Sequence, residues 1–169
     1  YKNGTLFQAL TRGDGLIGED VTENAVLIPD IPISIPIKID TLEIRGEVYF
    51  PNSTFSELNE ELKIKGSKTF SNPRNAASGT LRQFKSNKNR NKNLCFFAYS
   101  VGNASYHLAD SQAMLLKTFN DLGFKTNNLS KVFSSVEKLL QYYEEVFSMR
   151  PELDYDIDGI VYKVNDFRL

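Results

Sequence analysis

Apolar and polar residues alternate with a period of two in three stretches of the chain, and each alternation predicts a strand. Leu42, Ile44, Gly46, Val48 and Phe50 share an apolar face, while Glu43, Arg45, Glu47 and Tyr49 share a polar one, as in an antiparallel strand with one wet side. Gly46 thins the apolar face, and the four apolar neighbours fix Glu47 on the polar face. From Leu94 to Val101, Leu94, Phe96, Ala98 and Ser100 are set against Cys95, Phe97, Tyr99 and Val101. The third stretch, Asp156 to Val164, contains an Asp158-Gly159 turn signal that puts a carboxylate at the mouth of a strand. There Ile160, Tyr162 and Val164 would pack away from water, and Val161 and Lys163 would face outward. A lysine so placed is held rigidly over whatever lies above the sheet.

Helical spacing fills much of the remainder. Val21 to Ile28 suits a short helix ended by Pro29, and Pro32 and Pro36 space an extended connection. The capping box Thr54-Phe55-Ser56-Glu57 opens a helix through Leu58 and Leu62 that Gly66 stops. Asn72 caps the next helix, with Pro73 at its first position and small residues after it that permit close packing. Arg74 and Arg82 lie eight positions apart, about 80° around a helix axis, so both can reach one side. Ser111 to Leu122 would turn Met114, Leu115, Phe119 and Leu122 inward, with Gly123 closing it. A capping box at Ser134-Ser135-Val136-Glu137 opens a helix whose Leu139, Leu140, Tyr143, Val146 and Phe147 would pack against the sheet.

Two turns precede these elements. Tyr1-Lys2-Asn3-Gly4 leads into Thr5-Leu6-Phe7-Gln8-Ala9-Leu10 as an Asn-Gly hairpin turn would enter its second strand. With no first strand ahead of it, the chain reads as a fragment beginning in mid-hairpin, with one sheet edge unpaired. Thr11-Arg12-Gly13-Asp14-Gly15 and Gly18-Glu19-Asp20 then form a glycine-punctuated loop. Such a loop lets a ligand approach the backbone while Arg12 offers a fixed fork of donors, and it equally suits a plain connection from strand to helix.

Composition narrows the class. The 169 residues suit one domain, and 41% hydrophobic with 24% charged residues is ordinary for a soluble globular protein. A net charge of −1 gives no argument for a nucleic-acid partner, so that argument falls to the local cluster Arg82, Lys85, Lys88, Arg90 and Lys92. The cluster suits phosphate tracking, and equally a solvated loop. The single cysteine, Cys95, allows no internal disulfide or cysteine-based zinc site and reads as buried packing. His107, the sole histidine, makes no histidine-based metal site and receives no role. No apolar run has the length of a membrane span and no charged-then-apolar leader opens the chain, so a cytoplasmic, soluble protein without a membrane partner is expected.

Thr11-Arg12-Gly13-Asp14-Gly15, Arg45-Gly46-Glu47, Asn72-Pro73-Arg74-Asn75-Ala76-Ala77 and Asp158-Gly159-Ile160-Val161-Tyr162-Lys163, in this order, are far more specific together than singly. The set resembles the adenylation domain of bacterial-type NAD-dependent DNA ligases, from Tyr1 through Asn165. The resemblance implies an α+β nucleotidyltransferase fold of the DNA ligase and capping-enzyme kind, ATP-grasp-type, with antiparallel sheets flanking a nucleotide cleft. Residues 1–169 would be a partial adenylation domain, truncated at both ends. The implied chemistry begins when a lysine amine attacks the adenylyl phosphorus of NAD. The AMP then passes to the 5′-phosphate of nicked duplex DNA, and the 3′-hydroxyl displaces it. Each step builds charge at an in-line phosphoryl centre, which positioned cations and Mg²⁺ would stabilise.

By the same resemblance Glu47, Asp158 and Lys163 are the catalytic residues. Glu47 would hold the ribose, Lys163 would stand near the adenylate phosphate, and Asp158 would serve the metal or the lysine, with no metal ligand assigned. Arg12 would contact NAD, Tyr99 would stack on adenine, and Val161 would form the opposite wall. Arg74, Arg82 and Arg150 would meet phosphates of DNA or of the cofactor, and the protein would act as a monomer. One departure matters: the nucleophile of this family sits in a Lys-x-Asp-Gly motif, which these residues lack. Lys38-Ile39-Asp40-Thr41 has no glycine and follows the Arg-Gly-Asp-Gly loop instead of preceding it. The zinc module and the other expected domains are missing as well, so the isolated chain is expected to be inactive for want of a nucleophile. Two other readings stand beside this one: an ATP-dependent polynucleotide ligase or capping-type nucleotidyltransferase, and a non-catalytic nucleic-acid-binding module working through the basic cluster.

Overall fold

The computed structural model describes residues 1–83 and 91–169. The fold is α+β, with a small antiparallel sheet between helices. Its strands are β1, Leu42–Tyr49, and β2, Cys95–Ala104. Among the described residues this two-stranded sheet is joined only by isolated bridges, where sheets on both sides of a cleft were expected. The alternation on β1 holds, with Leu42 and Phe50 buried and Glu43, Arg45 and Glu47 exposed. Leu94, just before β2, and Phe96 and Ala98 on it face the core.

Register is set where Gly46 meets Phe96. A β-carbon on Gly46 would collide with the Phe96 ring and with the carbonyl oxygen of Phe97, so this ring occupies the space a side chain would need. Arg45 lies opposite Ser100 but Gly46 lies opposite Ala98, which leaves Tyr99 as the extra residue of a β-bulge. The outer face is drier than its alternation suggests. Tyr49 stacks on Phe97 at 4.7 Å, and the ring of Tyr155 meets both edge-on. Glu47, paired with Phe97, and Tyr99 occupy the part of that face left open.

The opening turn is a hairpin turn as predicted. Asn3 and Gly4 both have positive φ, and Lys2 and Thr5 exchange backbone hydrogen bonds. Tyr1 in turn exchanges hydrogen bonds with Leu42, so the first residues lie beside the start of β1. Residues 11–20 differ from a strand-to-helix connection. Leu10 bridges Asp20 and the Thr11 amide donates to Glu19, closing a second hairpin around Arg12 before the short α1, Thr22–Ala25.

Helix α2, Asn52–Ile64, begins two residues before the predicted capping box, and its cap comes from elsewhere. Asp154 accepts from the amide and hydroxyl of Ser53 at 2.8 and 2.7 Å, and its carbonyl oxygen accepts from the Asn52 amide. A distant carboxylate thus replaces Thr54 because it can satisfy the free donors one turn earlier. Gly66, at φ +64°, closes the helix as expected. Helix α3, Pro73–Leu81, follows its sequence signals directly, with the Asn72 side chain accepting from the Asn75 amide at 2.7 Å.

Helices α4, Gln112–Asp121, and α5, Val136–Met149, depart in facing. Leu115, Phe119 and Leu122 are buried as predicted, but Met114 is exposed. Ser135, rather than Ser134, caps α5, and Tyr142 and Val146 form its buried line, leaving Leu140, Tyr143 and Phe147 exposed. The Tyr142 hydroxyl explains this rotation: it donates to the Leu129 carbonyl at 2.8 Å while its ring packs on Phe133.

Two buried polar groups tie the layers together. Asp30 takes the ammonium of Lys125 at 2.7 Å and the Phe96 amide at 3.1 Å. Asn24 donates to the Leu81 and Gln83 carbonyls and accepts from Asn91 at 2.7 Å, joining α1 to the end of α3. Cys95 is half-buried beside Tyr49 and Asp30 instead of lying in the core, and burial pushes its thiol pKa upward.

Gly46→Ala should destabilise the domain by about 1–3 kcal/mol, the usual range for overpacking. Pairing it with Phe96→Leu should recover part of that loss in urea unfolding. Equal losses in the single and double variants would show that the ring does not set this constraint.

Candidate active site

Residues 154–167 run as a strap past four elements. Its start is fixed at α2 through Asp154, with Asn52 donating to Asp156 at 3.2 Å. Tyr155 then lies on the outer face of the sheet. Asp158 meets Arg74 of α3 at 3.1 Å, and Lys163 reaches the bulge of β2. Finally Asp166 bridges Ser111 at the start of α4.

This strap corrects the predicted strand. Residues 156–164 have no ladder partner among the described residues, and Tyr162 and Val164 are exposed and Ile160 only half-buried. With no neighbouring strand to bury one side, the alternation has no dry face to select. Alternation still sets direction along the extended chain, and Lys163 is turned toward β2.

The Lys163 ammonium donates to the Tyr99 carbonyl at 3.4 Å and stands 5.5 Å from the centre of the Tyr99 ring. The bulge makes this possible by presenting Tyr99 outside the regular ladder, with the residue 44% exposed. Gln112 donates to the same carbonyl at 3.0 Å. A solvent-facing aromatic ring with a cation beside it suits a planar base carrying a phosphate. Glu47 is exposed on the same outer face, opposite Phe97, and offers an acceptor for hydroxyl groups. Val161 is 79% exposed, two positions from Lys163.

The predicted phosphate contacts are spread more widely. Arg74 is paired with Asp158 at 3.1 Å, and Arg82 with Glu19 at 3.0 Å, so different carboxylates hold the two arginines. Arg150 begins the 3-10 turn Arg150–Glu152 and borders a cavity of about 70 Å³ that Asp158, Gly159 and Ile160 also line. Of the basic cluster, Lys85, Lys88 and Arg90 lie outside the described residues. A larger cavity, about 480 Å³, is lined by Val101, Gly102, residues 104–109, Leu115 and Phe167, none of them a predicted site residue.

Arg12 is exposed on its hairpin, where Gly13 and Gly15 both take positive φ. Asp14 shapes the loop by accepting from the Leu16 and Ile17 amides, which lowers its carboxyl pKa. Asp20 closes it, accepting from the Thr22 hydroxyl and amide and from Gln8. His107 pairs with Asp110 at 2.8 Å, a role its sequence context did not suggest. Gln112 and Asn165, which hold the strap and the bulge, were also missed. A helix-opening Ser-Gln pair and an Asn two residues after a lysine are too ordinary to signal a site.

A family model for the NAD-dependent DNA ligase adenylation domain matches residues 1–169. The chain belongs to this family. It is 48% identical over 169 residues to a DNA ligase of Roseobacter denitrificans, covering 100% of this chain and 24% of the relative. Identity to a DNA ligase of Rickettsia bellii is 45% over the same length, again with 100% and 24% coverage. A DNA ligase of Jannaschia sp. is 47% identical over 166 residues, 98% of this chain and 22% of the relative. The chain therefore spans about a quarter of the length of these DNA ligases. Among the described residues no helix is long and apolar enough to cross a membrane.

Hydrogen bonds from Thr22 and Gln8 lower the Asp20 pKa from 3.8 to about 2. Because the folded value is depressed, its contribution is fully present above the ordinary value and is lost as pH falls through about 2. A carboxyl ¹³C titration should give a midpoint near that value. A midpoint close to 3.8 would mean that the hairpin is not closed by these bonds.

Proposed function

We propose that residues 1–169 are part of the nucleotidyltransferase domain of a DNA ligase that consumes NAD, adenylates itself and seals nicks in duplex DNA. The observation that carries this reading is the Lys163 ammonium beside the open Tyr99 ring, on the face that also presents Glu47. Membership of the adenylation-domain family supports it. Tyr99 stacks on adenine, which every π-face permits, and Val161 closes the other side. Glu47 accepts from the ribose hydroxyls. Lys163 neutralises charge that grows on the adenylyl phosphate, where a fixed cation costs no reorganisation during the reaction.

Arg12, projecting from its hairpin, takes the remaining phosphate of NAD. Arg74, Arg82 and Arg150 follow phosphates of the nicked strand. The exposed ion pairs of Arg74 with Asp158 and of Arg82 with Glu19 are weak enough to give way to a phosphate. Asp158 acts by setting Arg74 and the turn before Lys163. Mg²⁺ belongs to the same reading, as an ion brought with the phosphates. No group of three or more potential ligands gathers among the described residues, so no step here is routed through a protein-held metal. The protein works as a monomer in the cytoplasm, in replication and repair of DNA.

Incubating the full-length protein with NAD labelled in its adenylyl group, with ATP in parallel, tests this function. Label should appear from NAD alone and map to a lysine outside residues 1–169, because these residues contain no Lys-x-Asp-Gly. Residues 1–169 by themselves should take no label. Glu47→Ala and Lys163→Ala should each slow labelling by about a hundredfold, the scale of losing one fixed electrostatic contact, while nicked-DNA binding survives. Labelling from ATP instead, or unchanged labelling in both variants, would defeat the proposal.

A further inference from the structure

The start of α4 is stitched to the end of the strap by its first two amides. A helix opens with four amides that lack partners within it. Here the Gln112 amide donates to the Asn165 carbonyl at 2.8 Å, and the Ala113 amide to the Asn165 side-chain oxygen at 3.0 Å. The Met114 amide takes the Ser111 hydroxyl at 3.2 Å, and Leu115 donates to the Ser111 carbonyl. Asn165 thus caps, from across the fold, the helix that Ser111 caps from within. The Gln112 side chain points the other way, donating to the Tyr99 carbonyl at 3.0 Å. That is the oxygen on which the Lys163 ammonium also rests, and Lys163 is two residues from Asn165.

We propose that Gln112 and Asn165 are positioning residues for Lys163, forming a two-sided clamp that fixes the lysine relative to the Tyr99 bulge. Gln112 holds both halves: its main chain grips the strap through Asn165, and its side chain grips the bulge through the Tyr99 carbonyl. The clamp is needed because each half is irregular. Tyr99 is the extra residue of a bulge, and residues 156–164 have no ladder among the described residues to set their height above the sheet. The helix start, whose amides are rigid, touches both. A neutral amide suits the task at Gln112. It donates to the carbonyl without competing for the ammonium, whereas a carboxylate there would repel the oxygen and pull Lys163 away from it.

This inference rests on the reading that Lys163 serves the adenylyl phosphate, and its test separates the two. Gln112→Met, which keeps length and helix propensity but removes the donor, is made in the full-length protein with and without Lys163→Met, and Asn165→Ala likewise. The readouts are the rate of adenylyl transfer from saturating labelled NAD and the midpoint of urea unfolding. Small displacements of a positioned group cost about ten- to a hundredfold in rate. Gln112→Met and Asn165→Ala should each slow transfer by that amount in the Lys163 protein. Either change should cost less than about threefold once Lys163 is already Met, since residues acting through one group are not additive. The unfolding midpoint should shift equally in both backgrounds, so a merely structural role predicts equal rate losses in both. Equal losses, or no loss from Gln112→Met, would overturn the clamp while leaving the function of Lys163 in place. If Lys163→Met does not itself slow transfer, the lysine's role fails, and the clamp fails with it.

Discussion

The structure depends first on a missing side chain. The Phe96 ring lies over Gly46, and this contact allows β1 and β2 to approach while an aromatic ring fills the core between them. Two consequences follow from one glycine. The pairing of Gly46 with Ala98 places the neighbouring Tyr99 in a bulge, and the pairing of Glu47 with Phe97 keeps the carboxylate on the outer face. A site with an aromatic ring and an acid therefore needs no loop of its own to assemble. It arises from how two strands settle around Phe96, which the Asp30 carboxylate also anchors through the Phe96 amide.

The second ingredient, the cation, arrives by a different route. Lys163 belongs to a strap that has no ladder of its own among the described residues and is instead held at intervals, by Asp154 at α2, Tyr155 on the sheet, Asp158 at Arg74 and Asn165 at α4. Each attachment uses a donor or a surface that the helix or sheet leaves unsatisfied. Helix starts are natural anchor points for such a segment because their free amides require an acceptor. Asp154 and Asn165 provide acceptors at two of them. The strap's path is thus determined by the ends of α2 and α4, and the position of Lys163 follows from where those helices begin.

Much of this was legible in the residues, and the rest was hidden for identifiable reasons. Local signals worked where the interaction itself is local: Asn3-Gly4 turns, Asn72 caps α3, Gly66 and Gly123 end helices, and Glu47 faces outward. They failed where a partner distant in sequence competes. Thr54 lost its cap position to Asp154, one hundred positions away along the chain. Leu140 and Phe147 lost the core to Tyr142, whose hydroxyl found the Leu129 carbonyl. Periodicity predicted a strand at 156–164 because alternation records how side chains point, but a strand also needs a neighbour to pair with. Family motifs pointed to Tyr99 and Lys163, yet nothing in either motif announced that the two meet through a carbonyl freed by a bulge.

Electrostatics links the resting site to its proposed substrate. The net charge of −1 would disfavour a polyanion, and two of the arginines expected to meet phosphates, Arg74 and Arg82, are each satisfied by a carboxylate. Both pairs are largely exposed, where an ion pair contributes about 0–1 kcal/mol and little is lost when it opens. A phosphate that replaces Asp158 at Arg74, or Glu19 at Arg82, exchanges one anion for another and leaves the guanidinium satisfied throughout. The freed carboxylates return to water at small cost because they never left it. Such an arrangement keeps the free arginines from attracting unrelated anions while allowing a correctly spaced series of phosphates to engage several at once. Binding of that kind is selective for geometry, because a lone phosphate gains only one such exchange while a duplex backbone gains all of them together.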